Sequence, residues 1–148
     1  QVVPVASPTP YGWWDMTNQF DASLDADVRD AYNRYWQARV DAAYNLDPSL
    51  LPQVEANPWL AMEQAALNDM RTAGTARKVE ANHSLRVRYA TESEALILDD
   101  YSLQVETLDA TTKEPVSDAA SAVYRTVTRM QKLDGAWKAV DEVQVTSS

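Results

Sequence analysis

The sequence contains no cysteine. Disulfides, thiolate metal sites, iron–sulfur clusters and a cysteine nucleophile are therefore outside its chemistry. It has one histidine, His83, so a histidine-rich metal centre and a mechanism built on two imidazoles are also excluded. Glycine is nearly as scarce. Three glycines cannot build a backbone cradle for phosphate, and neither a dinucleotide fingerprint nor Gly-x-Ser-x-Gly occurs. An Asp-x-Asp-x-Asp-Gly calcium loop is missing too, so no metal and no cofactor is expected. No stretch is long and apolar enough to span a bilayer as a helix. Positive charge is in deficit: 13 Lys and Arg against 22 Asp and Glu leave a net charge of −9, which repels phosphate backbones. Arg86 and Arg88, and Arg125 and Arg129, stand among carboxylates and not in a basic patch, so nucleic acid is not an expected partner.

What is present divides at Gly74. Before it the apolar residues recur at helical spacing; after it they alternate. Helices gathered at one end of a chain and antiparallel strands at the other predict an α+β domain with helices over one face of a sheet. The 148 residues are enough for one such domain with a real core. The first helix is expected from about Asp25 to Tyr44, capped by Ser23 or Asp25. Val28, Tyr32, Tyr35, Trp36, Ala42 and Ala43 form its apolar stripe. Asp47-Pro48-Ser49 opens a short helical turn. Asn57-Pro58 opens a second helix to about Ala73, with Leu60, Leu67 and Met70 buried and Gly74 suited to the left-handed position past its end.

From Arg77 the period is two. Val79, Ala81, His83, Leu85, Val87 and Tyr89 alternate with polar residues, which gives a strand with one buried and one wet face. The next strand, about Glu94 to Leu108, carries Ala95-Leu96-Ile97-Leu98. It is apolar on both faces there, which predicts a second covering layer, for instance another subunit. A polar loop with Pro115 follows, from Asp109 to Ala120. The last strands, about Ala122 to Leu133 and Ala136 to Val145, are joined by Asp134-Gly135, a two-residue hairpin turn. That turn predicts the pairs Lys132 with Trp137, Met130 with Ala139, Thr128 with Asp141 and Thr126 with Val143.

The lead of the chain is different. Of the seven prolines, three lie in the first ten residues, the composition of a semi-rigid spacer behind a cleaved signal or a membrane anchor. Tyr11, Trp13, Trp14 and Phe20 follow without helical or strand period. Residues 1–22 are read as a proline- and aromatic-rich arm or linker, and residues 23–148 as the folded domain. The aromatics either dock on their own domain or bind a partner.

Two candidate sites emerge. His83 lies on the apolar face of its strand, and Asp99 interrupts an apolar row on the next. A buried acid must be paired or neutralised. A three-residue loop sets His83 opposite Asp99, and a four-residue loop sets it opposite Asp100. A His83–Asp99 acid–base pair with Tyr35 and Tyr101 as pocket donors is the enzymatic or ligand-binding reading. A cross-strand structural contact is the plainer one. The other site is a surface: the arm residues Tyr11, Trp13, Trp14 and Phe20 with the sheet residues Val123, Val127 and Val140, as a face for a protein partner or a second copy.

The order helix, short helix, helix, long antiparallel strands resembles the nuclear transport factor 2-like superfamily, over about Asp25 to Val145. The resembling pieces are Ala31-Tyr32-x-x-Tyr35-Trp36, Asp47-Pro48-Ser49, His83 on the first long strand and Asp134-Gly135-x-Trp137-Lys138-x-Val140. They are most similar to the extracytoplasmic bacterial members. The resemblance implies a cone-shaped, strongly bent antiparallel sheet of about four strands wrapped on the N-terminal helices, with a pocket at the open end. It also implies an outer sheet face that often pairs subunits. Some relatives are enzymes with an Asp–His or Tyr–Asp set in the pocket; many others are binding or assembly domains. The expectation for this chain is a non-enzymatic, extracytoplasmic accessory domain.

Overall fold

The computed structural model describes residues 12–16 and 19–145. Two helices, α1 (Asp25–Asn45) and α2 (Trp59–Ala73), precede four strands, β1 (Thr75–Ala90), β2 (Glu94–Asp109), β3 (Ala120–Leu133) and β4 (Ala136–Gln144). The strands form one antiparallel meander in the order β1-β2-β3-β4. The helices pack on a curved, open sheet, the α+β architecture expected from the change of period at Gly74.

Local chemistry sets the element ends. Asp21 accepts from the Ser23 N–H and caps a 3₁₀ turn, Ala22–Leu24, that runs into α1. Asp47 does the same for Ser49 ahead of the turn Pro48–Leu50. Gly74, at φ 73°, closes α2 in the left-handed region, where a side chain would be strained. Asp134 and Gly135, at φ 51° and 80°, make the hairpin turn whose twist matches the flanking strands.

One face of α1 supplies the main core. Val28, Tyr32, Tyr35 and Trp36 pack on Val87, Ala95, Ile97, Tyr101, Met130 and Trp137 from the concave side of the sheet. A second cluster, Ala42, Leu51, Leu60, Leu67 and Met70, fastens α2 to the far end of α1.

Two bulges bend the strands and correct the expected registers. In β1 the pairing slips between Val87 and Tyr89, so His83 stands opposite Tyr101, and Asp99 opposite Leu85. Neither loop length weighed from sequence gives that pairing: the strands first pair at Ala90 with Ala95, a register that alone would set His83 opposite Ser102, and the bulged residue brings it back by one to Tyr101. In β4 the expected pairs Lys132 with Trp137 and Met130 with Ala139 form, but beyond them the slip puts Arg129 opposite Asp141, Thr128 opposite Glu142 and Thr126 opposite Gln144. The bulge therefore turns Glu142, not Asp141, toward the concave face.

The outer face resolves the doubly apolar run in β2. Leu96 and Leu98, with Val127, are covered by Trp13 from the chain's own arm, and Trp14, Met16 and Val143 pack around them. The second layer is this arm and not another subunit. Residues 13–15 form a 3₁₀ turn, and the two indoles meet edge to face at 5.8 Å between centroids. Further on, the Ala90 N–H donates to the Gln19 carbonyl and the Asp21 N–H to the Ala90 carbonyl, which stitches the approach to α1 onto the end of β1. Tyr11 and the proline tract lie outside the described residues.

Burying most of an indole in this way is worth about 2 kcal/mol. Trp13→Ala is expected to lower stability by about that amount in urea titrations while leaving the far-ultraviolet circular dichroism unchanged. Wild-type stability in this variant would mean that the arm does not dock.

Candidate functional site

The concave side of the sheet holds one polar cluster in its centre and a second at its flank. At the centre, Asp99 is completely buried. Its Oδ2 accepts from the Tyr32 hydroxyl at 2.7 Å and lies 2.6 Å from His83 Nδ1. His83 and Asp99 meet diagonally, two residues off the direct cross-strand position, a separation that long side chains bridge readily. With the carboxylate accepting, Nδ1 carries the hydrogen, and Nε2 is the nitrogen left for any other partner. The His83 ring lies 4.6 Å from the Trp36 ring and 5.4 Å from the Tyr101 ring, and 19% of its side chain stays exposed. Burial, helped by the Asp99 charge, holds the Tyr32 hydroxyl far above its ordinary range, so it serves as a donor. Asp99 Oδ1 and the Thr126 hydroxyl, which belong to paired residues of β2 and β3, are buried without a hydrogen-bond partner among the described residues.

The flanking cluster is centred on Arg39, one turn beyond Tyr35 and Trp36 on α1. Its guanidinium lies 4.4 Å over Trp36, 5.0 Å over Tyr35 and 6.0 Å over Trp59, and its Nε donates to Glu63 at 2.5 Å. Burial opposes the cation, but Tyr35, Glu63 and Glu142 together outweigh that cost and hold it well above its usual range. The Tyr35 hydroxyl accepts from Trp59 Nε1 at 2.9 Å and lies 3.3 Å from Glu142 Oε1. Thr128 donates to the same Glu142 oxygen at 2.8 Å. Burial raises Glu142 above the ordinary carboxylate range. Glu55 is the extreme case: fully buried, it has no hydrogen-bond partner for either carboxyl oxygen among the described residues. Burial, reinforced by the Glu63 charge, pushes it up to about 9. Glu55 is fixed there because its segment pairs with β4: Ala139 N–H donates to the Val54 carbonyl and Ala56 N–H to the Ala139 carbonyl. No group of three or more acidic, histidine or cysteine ligands with metal-binding geometry occurs among the described residues.

A cavity of about 190 Å³ opens between the helices and the mouth of the sheet. Trp36, Arg39 and Val40 of α1, Glu63 and Leu67 of α2, Arg77 of β1 and Tyr101 of β2 are in its wall. Of the four residues expected to share a pocket, Tyr101 is in this wall, whereas Tyr35, His83 and Asp99 are not. His83 and Asp99 meet each other; Tyr35 belongs to the Arg39–Glu142 cluster. Arg39, Glu55, Glu63 and Glu142 were not anticipated from sequence. Only Arg39 carried a signal, its i+3/i+4 spacing from Trp36 and Tyr35.

The expected partner surface is divided in the same way. Trp13, Val127 and Val140 are buried within the chain. Phe20 is 51% exposed and Val123 82%. Arg125 is tied to Asp100 at 2.6 and 3.0 Å, and its N–H groups hold that carboxyl below the usual range.

The buried acids set a pH dependence. Folded Glu55 keeps its proton up to about 9, whereas in the unfolded chain it loses it near the model-peptide value of about 4.3. The folded state therefore binds the extra proton between these values, and its stabilising effect is lost as pH rises through that window. Glu55→Gln is expected to gain stability relative to the wild type progressively from pH 5 to 9, by roughly 1–3 kcal/mol at the upper end. Thermal melts across that range check it; a constant difference contradicts it.

Comparison with known proteins bears on the fold. No family model matches the sequence, and no curated protein matches it. Among solved structures, the intermembrane space region of the chloroplast protein ARC6 superposes with a TM-score of 0.69 at 14% identity, covering 87% of this chain and 99% of that one. A nuclear transport factor 2-like superfamily protein from Salmonella enterica serovar Typhimurium gives 0.60 at 12% identity, covering 86% and 93%. A conserved protein from Planctomyces limnophilus gives 0.52 at 11%, covering 81% and 96%. The chain has the nuclear transport factor 2-like fold.

Proposed function

We propose that this chain is a non-enzymatic, extracytoplasmic accessory domain that assembles through the bare half of its outer sheet face. The observation that carries the reading is Val123, 82% exposed on that face near the start of β3, beyond its last pair with β4. Around it lie Asn82 and Ser84 of β1, Ser102 and Gln104 of β2 and Ser121 of β3, all exposed. These side chains are neutral, and of the charged residues adjoining them Asp100 and Arg125 are paired with each other while Glu80 is exposed at the border, so a flat protein surface can cover the neutral part at little desolvation cost. The other half of the face is already closed by Trp13, which leaves this half as the docking area. Phe20 is also exposed, but it bridges Ala90 at the other end of β1, apart from this half.

The non-catalytic part of the reading rests on enclosure. Tyr32 and Asp99 are fully buried, and His83 is packed against Trp36 and Tyr101, set back from the cavity wall. A substrate in the cavity meets Tyr101 and Trp36 before it meets the imidazole. In this reading His83 and Asp99 hold the core, and the part of the His83 side chain that stays exposed lies outside the lining of the cavity. The extracytoplasmic part is supported by the proline-rich lead and by fold likeness to a domain of the chloroplast intermembrane space.

The test is a photo-crosslinking residue at position 123, compared with one at Met62, which is 61% exposed on the helical side. Position 123 is expected to yield discrete adducts that position 62 does not, and Val123→Asp to abolish any concentration-dependent sedimentation without loss of helix or sheet signal. A chain that sediments as a monomer at all concentrations and gives the same adducts from both positions contradicts the proposal.

A further inference from the structure

We infer that the cavity at the mouth of the sheet is a binding site for a small amphipathic monocarboxylate, a short-chain or single-ring organic acid, with Arg77 as its principal charge partner. This inference goes beyond the assembly role and does not depend on it.

The walls are built from matching helical stripes. Trp36, Arg39, Val40 and Ala43 recur at i, i+3, i+4 and i+7 on α1, and Glu63, Ala66, Leu67 and Met70 recur in the same way on α2. Between them the sheet contributes Val79, Leu103 and Val105. The lining is mostly apolar, with few charged groups, which is the composition of a ligand site. The volume of about 190 Å³ is under the range of roughly 300–1,000 Å³ used by drug-sized ligands, and equals the share of about six waters. It therefore limits the ligand to a short chain or one ring.

The charges select the sign. The wall contains two guanidinium groups, Arg39 and Arg77, and one carboxylate, Glu63. Arg39 is spoken for: its Nε is on Glu63 and its face is stacked on Trp36 and Tyr35. Arg77 is different. It has the strand parity of Val79 and His83 and lines the cavity, but it is exposed, at the rim, and no carboxylate among the described residues pairs with it. An arginine without an acid, at the edge of an apolar cavity, leaves one positive charge for a ligand to neutralise. A carboxylate matches the planar guanidinium fork, and an alkyl or aryl tail matches Leu67, Met70 and Leu103. A cationic ligand would meet Arg77 and a pre-satisfied Glu63, and is disfavoured on both counts. The chain's net charge of −9 gives no long-range attraction for an anion, so affinity must come from these contacts.

The experiment uses three probes of one chain length, hexanoate, hexanol and hexylamine, titrated calorimetrically into the full chain. Hexanoate is expected to bind saturably, with hexanol and hexylamine at least about tenfold weaker, the loss of one charge-assisted contact. Arg77→Gln, a substitution at an exposed side chain, is expected to weaken hexanoate by about tenfold while leaving the thermal unfolding midpoint unchanged. Ala66→Phe, which fills the cavity, is expected to abolish binding of hexanoate. Equal binding of hexanol would show an unselective apolar pocket and overturn the inference. So would stronger binding of hexylamine, undiminished hexanoate binding by Arg77→Gln, or no saturation with hexanoate up to ~10 mM, the range where affinity falls to about −3 kcal/mol.

Discussion

A single carboxyl oxygen holds three elements of this fold together. Asp99 Oδ2 receives the Tyr32 hydroxyl from α1 and faces the His83 imidazole on β1, while Asp99 itself sits in the middle of β2. A buried acid left alone is among the most expensive features a core can contain, and the same acid with charge-assisted hydrogen bonds is among the most directional. Apolar packing between α1 and the sheet tolerates small slides and rotations; the bonds to Asp99 do not. They set the depth of α1 in the curve of the sheet and the height at which Tyr35, Trp36 and Arg39 appear beyond it. The flanking cluster and the mouth cavity inherit their positions from that placement.

The two faces of the sheet solve different problems. The concave face is filled with rings, and two of their hydroxyls have partners, Tyr32 with Asp99 and Tyr35 with Trp59 and Glu142, whereas the buried Trp36 Nε1 has none among the described residues. The price is a set of carboxyl groups far from water, of which Glu55 is the clearest. Keeping its proton is the inexpensive answer, because a neutral acid forfeits much less solvation than a charged one. The convex face is dressed by sequence from outside the domain core. Leu96, Leu98 and Val127 would be an exposed apolar patch on an open sheet, and Trp13 covers them. Within the arm, residues 12–16 pack on the sheet through Trp13.

The amino-acid pattern made the architecture legible because each level of it agreed. The helical stripe of α1, the glycine after α2, the clean alternation of β1 and the Asp134-Gly135 turn all point to the same α+β arrangement. Facing was legible too: His83 and Asp99 do look inward, because alternation survives within each run. Register was not. The β1–β2 turn closes at Ala90 and Ala95, and the extra residues at Arg88 and Val140 leave no compositional trace, yet each shifts the pairs beyond it by one, the second handing Thr128 to Glu142 instead of Asp141. Charged residues at the flank were hidden for a different reason. Arg39 and Glu63 occupy ordinary helix positions where solvent is the usual neighbour, and Glu55 lies in a short segment with no period at all. Their burial is decided by how α2 and the Val54–Ala56 segment close over the sheet, which no local pattern encodes.

The account stands on the tie between Tyr32 and Asp99, and a double-mutant cycle with Tyr32→Phe and Asp99→Asn measures it most directly. Each single change is conservative in shape, so the difference from additivity reads the interaction itself. The predicted coupling is about 1–3 kcal/mol in urea titrations at neutral pH, the range for a buried hydrogen bond to a charged group. Strict additivity of the two substitutions would mean that α1 is held by packing alone, and would contradict the account.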